Sequence, residues 1–293
     1  MSQSEVQETL ERIPFEHALA GAIVVTAVLA VTPAIWTIVQ RIYGGRNIFF
    51  ARWGFLHLLQ VILFGLGFSI LISFALDSYL PEDEPLGIGM LLASQCLIFG
   101  PPCLFVMFLA QRLDPDGIRC LGLRWNRTPR AMAGGLLAYF AFLPGFYGLM
   151  VVWPYLLDRF GGAYEDQAFS SLFEMASGGE LWFGVAMAVL VLPFFEELLF
   201  RGFLQPLLVQ NFRDRGGVAM TAILFAAMHG ESAFVPILGL ALLLGAVMLR
   251  TQRLLAVWAL HALHNGIQVA ILLSTMPVES DSGAGALILE SLR

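Results

Sequence analysis

One apolar run of the sequence carries charges inside it: Phe194-Phe195-Glu196-Glu197-Leu198-Leu199-Phe200-Arg201. Glu196, Glu197 and Arg201 are the only carboxylates and the only cation that fall within the predicted membrane spans. A charged group in the hydrocarbon of a bilayer is unfavourable by several kcal/mol unless it is paired or faces a water-filled cavity. Charged residues in such a place are therefore candidates for a functional site by default.

The composition is that of a membrane protein. Of the 293 residues, 58% are hydrophobic and only 13% are charged, whereas soluble domains carry about 25% charged residues. The mean hydropathy is +0.77. The apolar runs are long and continuous, so we expect transmembrane helices and not the alternating strands of an outer-membrane barrel. The net charge of −6 and the lack of a basic stripe exclude a nucleic-acid-binding protein.

A helix needs about 20 apolar residues to span the bilayer. Eight apolar stretches can be placed in the sequence, of which the sixth and seventh are short and could form a hairpin that does not fully cross. They fall at residues 17–40, 54–76, 86–111, 131–157, 181–209, 217–230, 233–249 and 254–276. The sequence therefore predicts an all-α, polytopic membrane protein with about eight transmembrane helices in one bundle. This single domain, residues 17–276, lies between an acidic tail, residues 1–16, and a polar C-terminal tail, residues 277–293.

The charges of the predicted loops alternate along the chain. The loops after spans one, three, five and seven carry an excess of arginine, and the loops between them are acidic or neutral. By the positive-inside rule, the arginine-rich loops face the cytoplasm, and the acidic N-terminal tail is non-cytoplasmic. The loop 158–180 contains aromatic and apolar residues, which fit a short helix on the membrane surface. In functional terms, we interpret this loop as a lid or a substrate collar.

The two adjacent glutamates have different predicted roles. Glu197 and Arg201 are four residues apart in the order that favours an ion pair on a helix, and we interpret this pair as structural. Glu196 points about 100° away from Glu197 and has no partner nearby in the sequence. A lone buried carboxylate of this kind suits a general base. Pro193 removes the hydrogen bond that Val189 would accept, so we expect the helix to kink there.

Further polar residues fall in the last third of the predicted spans. His229 ends span six, while His261, His264 and Asn265 lie in span eight. His261 and Asn265 are four residues apart and share a helix face. His264 is turned about 60° away from His261, and we interpret it as a packing or supporting residue. A single histidine in a span is usually a packed residue, but this set together with Glu196 indicates a site.

Three motifs follow one another in a fixed order: Glu196-Glu197-x-x-x-Arg201, Phe225-x-x-x-His229 and His261-x-x-x-Asn265. In this order they resemble the motifs of the CPBP family. That family includes the type II CAAX prenyl endopeptidases, or Rce1-like proteins, and many bacterial and archaeal relatives, often called Abi proteins. The resemblance covers about residues 181–276. It implies an eight-helix bundle with a polar intramembrane cavity that opens towards the cytoplasm.

The resemblance also implies an activity, that of a glutamic-type intramembrane endopeptidase. By its motifs, it implies that Glu196 and His229 activate a water molecule. It also implies that His261 and Asn265 form the oxyanion hole. Glu197 and Arg201 would be a supporting ion pair. The implied partners are the lipid bilayer and a membrane-associated peptide or protein substrate. The bacterial and archaeal relatives imply a multi-pass protein of a prokaryotic inner membrane.

Three alternatives stay open at this point. Two histidines and a glutamate are a feasible zinc site, but the His-Glu-x-x-His signature is absent, so we expect no metal and no other cofactor. Intramembrane carboxylates and histidines also build proton-coupled transporters. A fold does not fix a function, so the same bundle is compatible with a non-catalytic scaffold or an immunity-type protein.

Overall fold

The computed structural model of the protein describes residues 15–43, 51–79, 88–160 and 178–275, and all their regular structure is helical. The helices are α1 Phe15–Tyr43, α2 Phe55–Tyr79, α3 Ile88–Leu113, a 3₁₀ helix Gly117–Leu121, α4 Thr128–Arg159, α5 Gly178–Ala186, a first π turn Met187–Val191, α6 Leu192–Glu197, a second π turn Leu198–Leu204, α7 Gln205–Ala227, α8 Phe234–Thr251 and α9 Leu254–Thr275. The predicted all-α fold is confirmed.

Six helical stretches of the described residues are long and apolar enough to cross a membrane. Eight spans were predicted, and the difference has two sources. Residues 178–227 form one 50-residue stretch that covers the predicted spans five and six. The first predicted span falls on α1, of which only Phe15–Ala30 is described with its side chains, so α1 is not among the six. A polytopic helical membrane protein is confirmed, and the exact number of spans stays a prediction.

Parts of three other predictions lie outside the described residues. Of the predicted acidic tail, only Phe15 and Glu16 are described, and they form the first turn of α1. The loop 158–180 is described only at its two ends, where α4 finishes and α5 begins. The predicted C-terminal tail, residues 277–293, lies wholly outside.

The 50-residue stretch is broken at Arg213, whose backbone angles are φ 62° and ψ 172°. A Cβ added at Gly217 would collide with the main chain of Val209. In a continuous helix, residues eight positions apart would be separated by about 12 Å. The chain therefore turns back on itself between Val209 and Gly217, in the interval that separates the predicted spans five and six.

Helix α4 contacts three other helices of the bundle, α1, α8 and α9. Small residues allow α1 to lie close to it, because a Cβ at Gly21 would come within 3.0 Å of the carbonyl oxygen of Gly148. Such close approach through glycine is typical of packed membrane helices. Tyr139 of α4 and Leu260 of α9 are buried where these two helices join the hydrophobic core.

Two π turns flank the short helix α6, which carries both glutamates. The first, Met187–Val191, ends two residues before Pro193, and the second, Leu198–Leu204, ends two residues before Pro206. A proline ring clashes with the carbonyl four residues earlier in an α-helix. One extra residue in the turn moves that carbonyl away from the ring, and such π turns are frequent at functional sites.

Two main-chain hydrogen bonds show directly that the turns before Pro193 and Pro206 are one residue wider than an α-helical turn. The amide of Leu192 donates to the carbonyl of Met187, and the amide of Gln205 donates to that of Phe200. Both bonds span five residues, as in a π-helix, and not four. The sequence predicts a kink at Pro193, and the structure has a widened turn at this place in a chain that stays helical.

We expect Gly217→Ala to destabilise the protein, because the added Cβ would meet the main chain of Val209, which cannot swing aside as a side chain can. Overpacking of this kind costs about 1–3 kcal/mol, so the midpoint of thermal unfolding in detergent should fall. Gly67→Ala in α2 is the matched control, because nothing lies within 4 Å of a Cβ there. Equal midpoints for the two variants would contradict the tight turn.

Candidate active site

Glu197 is held in the protein interior by two donors. Its Oε1 accepts a hydrogen bond of 3.0 Å from Nη1 of Arg201 and another of 2.8 Å from Nδ1 of His261. The exposed fraction of the side chain is 0% for Glu197 and for Arg201, and 4% for His261. The predicted ion pair is therefore present, and α9 contributes a second donor from a different helix.

Phe225 joins the ion pair to the histidines. The guanidinium carbon of Arg201 lies 4.1 Å from the centroid of the Phe225 ring, and a desolvated cation–π contact is worth about 2 kcal/mol. The rings of His229 and His261 lie 4.7 Å and 5.9 Å from the same centroid. One buried aromatic ring thus contacts the cation and two imidazoles of the predicted site.

Glu196 has a more open environment than Glu197. Its side chain is 24% exposed, and its Oε2 lies 3.7 Å from Nε2 of His261. Adjacent helical residues point about 100° apart, and His261 faces both, with Nδ1 on one glutamate and Nε2 towards the other. The site therefore contains one fully buried carboxylate and one half-buried carboxylate around a single imidazole.

His229 lies in the turn that follows the end of α7 at Ala227, and it is half-buried. Its Nδ1 is 2.8 Å from the carbonyl oxygen of Phe225. A carbonyl oxygen only accepts, so Nδ1 carries the hydrogen, and the neutral ring keeps its lone pair on Nε2. A ring in this tautomer is able to accept a proton from a water molecule at Nε2.

Asn265 lies one turn after His261 on α9 and donates from Nδ2 to the carbonyl of Ala188, over 3.0 Å. This acceptor belongs to the first π turn. The amide nitrogen carries a second hydrogen, so one of its two N–H groups is engaged with the main chain. The predicted place of Asn265 in an oxyanion hole would use the other N–H.

Residues 178–267 match a family model described as type II CAAX prenyl endopeptidase, Rce1-like. The chain is similar to this family over that stretch, which we call the Rce1-like segment. The resemblance predicted from the three motifs is confirmed, and the matched residues include every predicted site residue. No curated protein and no solved structure gives a match to the chain.

Metal binding would need a cluster of ligand side chains in the part of the chain that the structure describes. Within residues 15–43, 51–79, 88–160 and 178–275, no group of three or more histidine, cysteine, aspartate or glutamate side chains is arranged to hold a metal ion. Nδ1 of His229 and Nδ1 of His261 are both used as hydrogen-bond donors. A metal ligand at either ring would therefore have to be Nε2. The expectation of no cofactor stays a prediction.

His264 is turned away from the glutamates towards α4. Its Nδ1 lies 3.1 Å from the hydroxyl of Tyr139, and its ring packs edge-on to Phe146 at 4.5 Å between centroids. The side chain is buried. This placement agrees with the interpretation of His264 as a packing or supporting residue of the Rce1-like segment.

Trp258 is a further polar contact of the site that the sequence analysis did not single out. Its Nε1 donates to the carbonyl of Leu190 over 2.8 Å, and its ring packs edge-on to Phe194. The signal available in the sequence is its spacing, because Trp258 precedes His261 by three residues and shares its helix face.

We expect Arg201→Met to lower the thermal unfolding midpoint strongly, because Glu197 would stay buried without its cation. Breaking a buried pair by removing one partner costs about 3–5 kcal/mol. Arg124→Met is the matched control. Arg124 lies 2.6 Å from Asp116, but these side chains are 35% and 60% exposed, and exposed pairs contribute only about 0.2–1 kcal/mol. Equal losses in the two variants would contradict a structural role for the buried pair.

Proposed function

We propose that the protein is an intramembrane endopeptidase that hydrolyses a peptide bond of a membrane-associated substrate with a water molecule activated by Glu196 and His229. One observation carries the proposal. A partly exposed carboxylate, that of Glu196, lies 3.7 Å from Nε2 of buried His261, whose other nitrogen is hydrogen-bonded to the fully buried carboxylate of Glu197. A partly exposed carboxylate can act as a general base, and an imidazole held beside it can donate to the developing oxyanion.

In this proposal Glu196 removes a proton from the attacking water, while Nε2 of His229 orients the same molecule. The water oxygen adds to the carbonyl carbon of the scissile bond, and the carbonyl electrons move onto its oxygen. Glu196 then gives the proton to the amide nitrogen, and the C–N bond breaks. Glu197 and Arg201 take no part in proton transfer and hold His261 in place.

The tetrahedral intermediate carries an oxyanion, which needs donors directed at it. We assign this role to Nε2 of His261 and to the second N–H of Asn265. His261 already donates from Nδ1 to Glu197, so only its imidazolium form has a further N–H at Nε2. Because Glu196 holds the proton of the water at this stage, the positive charges of this imidazolium and of Arg201 would balance the negative charges of the oxyanion and Glu197.

The substrate class follows from the family description. Type II CAAX prenyl endopeptidases are named for peptides with a prenylated cysteine near the carboxyl terminus, so a prenylated CAAX peptide is the first substrate to test. The arginine-rich loops would place the open side of the site at the cytoplasmic leaflet of a prokaryotic inner membrane.

Glu196→Gln should abolish cleavage, because the amide cannot accept the proton of the attacking water. The loss in kcat should be at least about 100-fold, the usual contribution of a general base. The assay uses purified protein in liposomes with a farnesylated CAAX peptide and its unprenylated twin. If wild type cleaves neither peptide, membrane proteomes of cells with wild type and with Glu196→Gln are compared for an accumulating substrate.

Glu231→Gln is the matched control, because Glu231 is an exposed acid in the turn after α7, and its variant should cleave at the wild-type rate. A Glu196→Gln protein that keeps cleavage would contradict the assignment. A variant that loses proton-linked flux, with no cleavage detected for wild type in either assay, would favour the transporter alternative.

We expect cleavage to continue in the presence of a strong chelator, because water activation is assigned to Glu196 and His229. The measurement is the cleavage rate of purified protein before and after dialysis against chelator, with the zinc content determined in parallel. Inhibition that is reversed by added zinc would replace the glutamic mechanism with a metal-dependent one.

A further inference from the structure

The face of α9 that carries His261 makes three contacts with the segment that bears the glutamates. Trp258, His261 and Asn265 follow one another at spacings of three and four residues, so they lie on one helix face. Each donates a hydrogen bond across the interface. The three acceptors are the carbonyl of Leu190, Oε1 of Glu197 and the carbonyl of Ala188.

The carbonyl of Ala188 lacks a donor within its own helix, for a reason that is visible in the sequence. The amide of Leu192 donates five residues back, to Met187, so the helical donor for Ala188 would be the next residue. That residue is Pro193, which has no N–H. Nδ2 of Asn265 takes its place at 3.0 Å.

A buried carbonyl without a donor is strongly unfavourable in a membrane, where no water is at hand. Ala188 is 5% exposed, so its carbonyl must receive a hydrogen bond from another donor. The bond from Trp258 to Leu190 lies in the same π turn. Two side chains of α9 thus stabilise this turn in its π-helical form.

This register determines the direction of both glutamates. Converting a π turn into an α turn removes one residue from the turn and rotates everything after it by about 100°. The same angle separates Glu196 from Glu197. A change of register in the first π turn would therefore alter which glutamate faces His261, and it would separate Glu197 from its donor on α9.

We propose that Asn265 and Trp258 are positioning residues that hold the first π turn open and thereby aim Glu196 and Glu197 at His261. For Asn265 this role is distinct from donation to an oxyanion. The part that concerns catalysis rests on the proposed function, whereas the part that concerns the helical register does not.

The decisive experiment tests whether the hydrogen bond from Asn265 to Ala188 is still needed once the main chain has its own donor. Pro193→Ala restores an N–H at position 193, so the chain can satisfy the carbonyl by itself. Thermal unfolding in detergent is measured for wild type, Asn265→Ala, Pro193→Ala and the double variant. We expect Asn265→Ala to lower the midpoint and to lower it much less when Pro193→Ala is also present.

Additive effects of the two substitutions, or an unchanged midpoint for Asn265→Ala, would overturn the proposal. If Asn265→Ala does not fold alone, recovery of folded, monodisperse protein in the double variant is the supporting result, and its failure to recover counts against the proposal. This measurement needs no substrate, so it decides the positioning role even if no peptide is cleaved and the proposed function fails.

Trp258→Phe tests the second contact, because it removes the N–H and keeps an aromatic ring against Phe194. If the wild-type protein cleaves the farnesylated peptide, kcat of this variant should fall by up to about 100-fold, the effect of a small misplacement of catalytic groups, with little change in KM. Trp182→Phe is the control, because Trp182 lies on α5 and is 53% exposed. An equal kcat for the two variants would remove Trp258 from the proposal.

Discussion

The burial of a carboxylate, Glu197, is the constraint on which the arrangement of this site depends. A carboxylate with no exposed surface is tolerated only when charge and hydrogen bonds are supplied from nearby. Arg201 supplies the charge from the π turn that follows α6, and His261 supplies a hydrogen bond from α9. Because the second donor comes from another helix, the ion pair also fixes how α9 lies against the segment that carries the glutamates.

In a membrane, a backbone group that loses its partner at a break in a helix must be satisfied by neighbouring parts of the protein. In a soluble protein, water could satisfy the carbonyl that Pro193 leaves without a donor, but the bilayer core holds none. The donors come instead from α9, through Asn265 to Ala188 and through Trp258 to Leu190. Helix α9 thus provides the imidazole of His261 and also satisfies the carbonyl group that Pro193 leaves without a donor. The stability of the first π turn and the proposed catalytic geometry are coupled because both depend on one face of α9.

Much of this fold could be predicted from the sequence, because hydropathy determines where membrane helices run. The ion pair of Glu197 and Arg201 was also predictable, since a spacing of four places the two groups on one face. The π turns were not. Pro193 indicates a lost hydrogen bond but not whether the helix bends, breaks or widens, because that choice depends on donors from α9. The partner of Asn265 was hidden for the same reason.

In the proposed mechanism, the adjacent glutamates have two different tasks that one side chain could not combine. The carboxylate of Glu197 is fully buried, and its Oε1 accepts two hydrogen bonds, so it is held firmly but is closed to solvent. A partly exposed carboxylate such as Glu196 is accessible but has fewer contacts to fix its direction. Placing them side by side on α6, with His261 facing both, allows the buried acid to fix the imidazole that the open acid faces. A single glutamate could be well held or accessible to water, but not both.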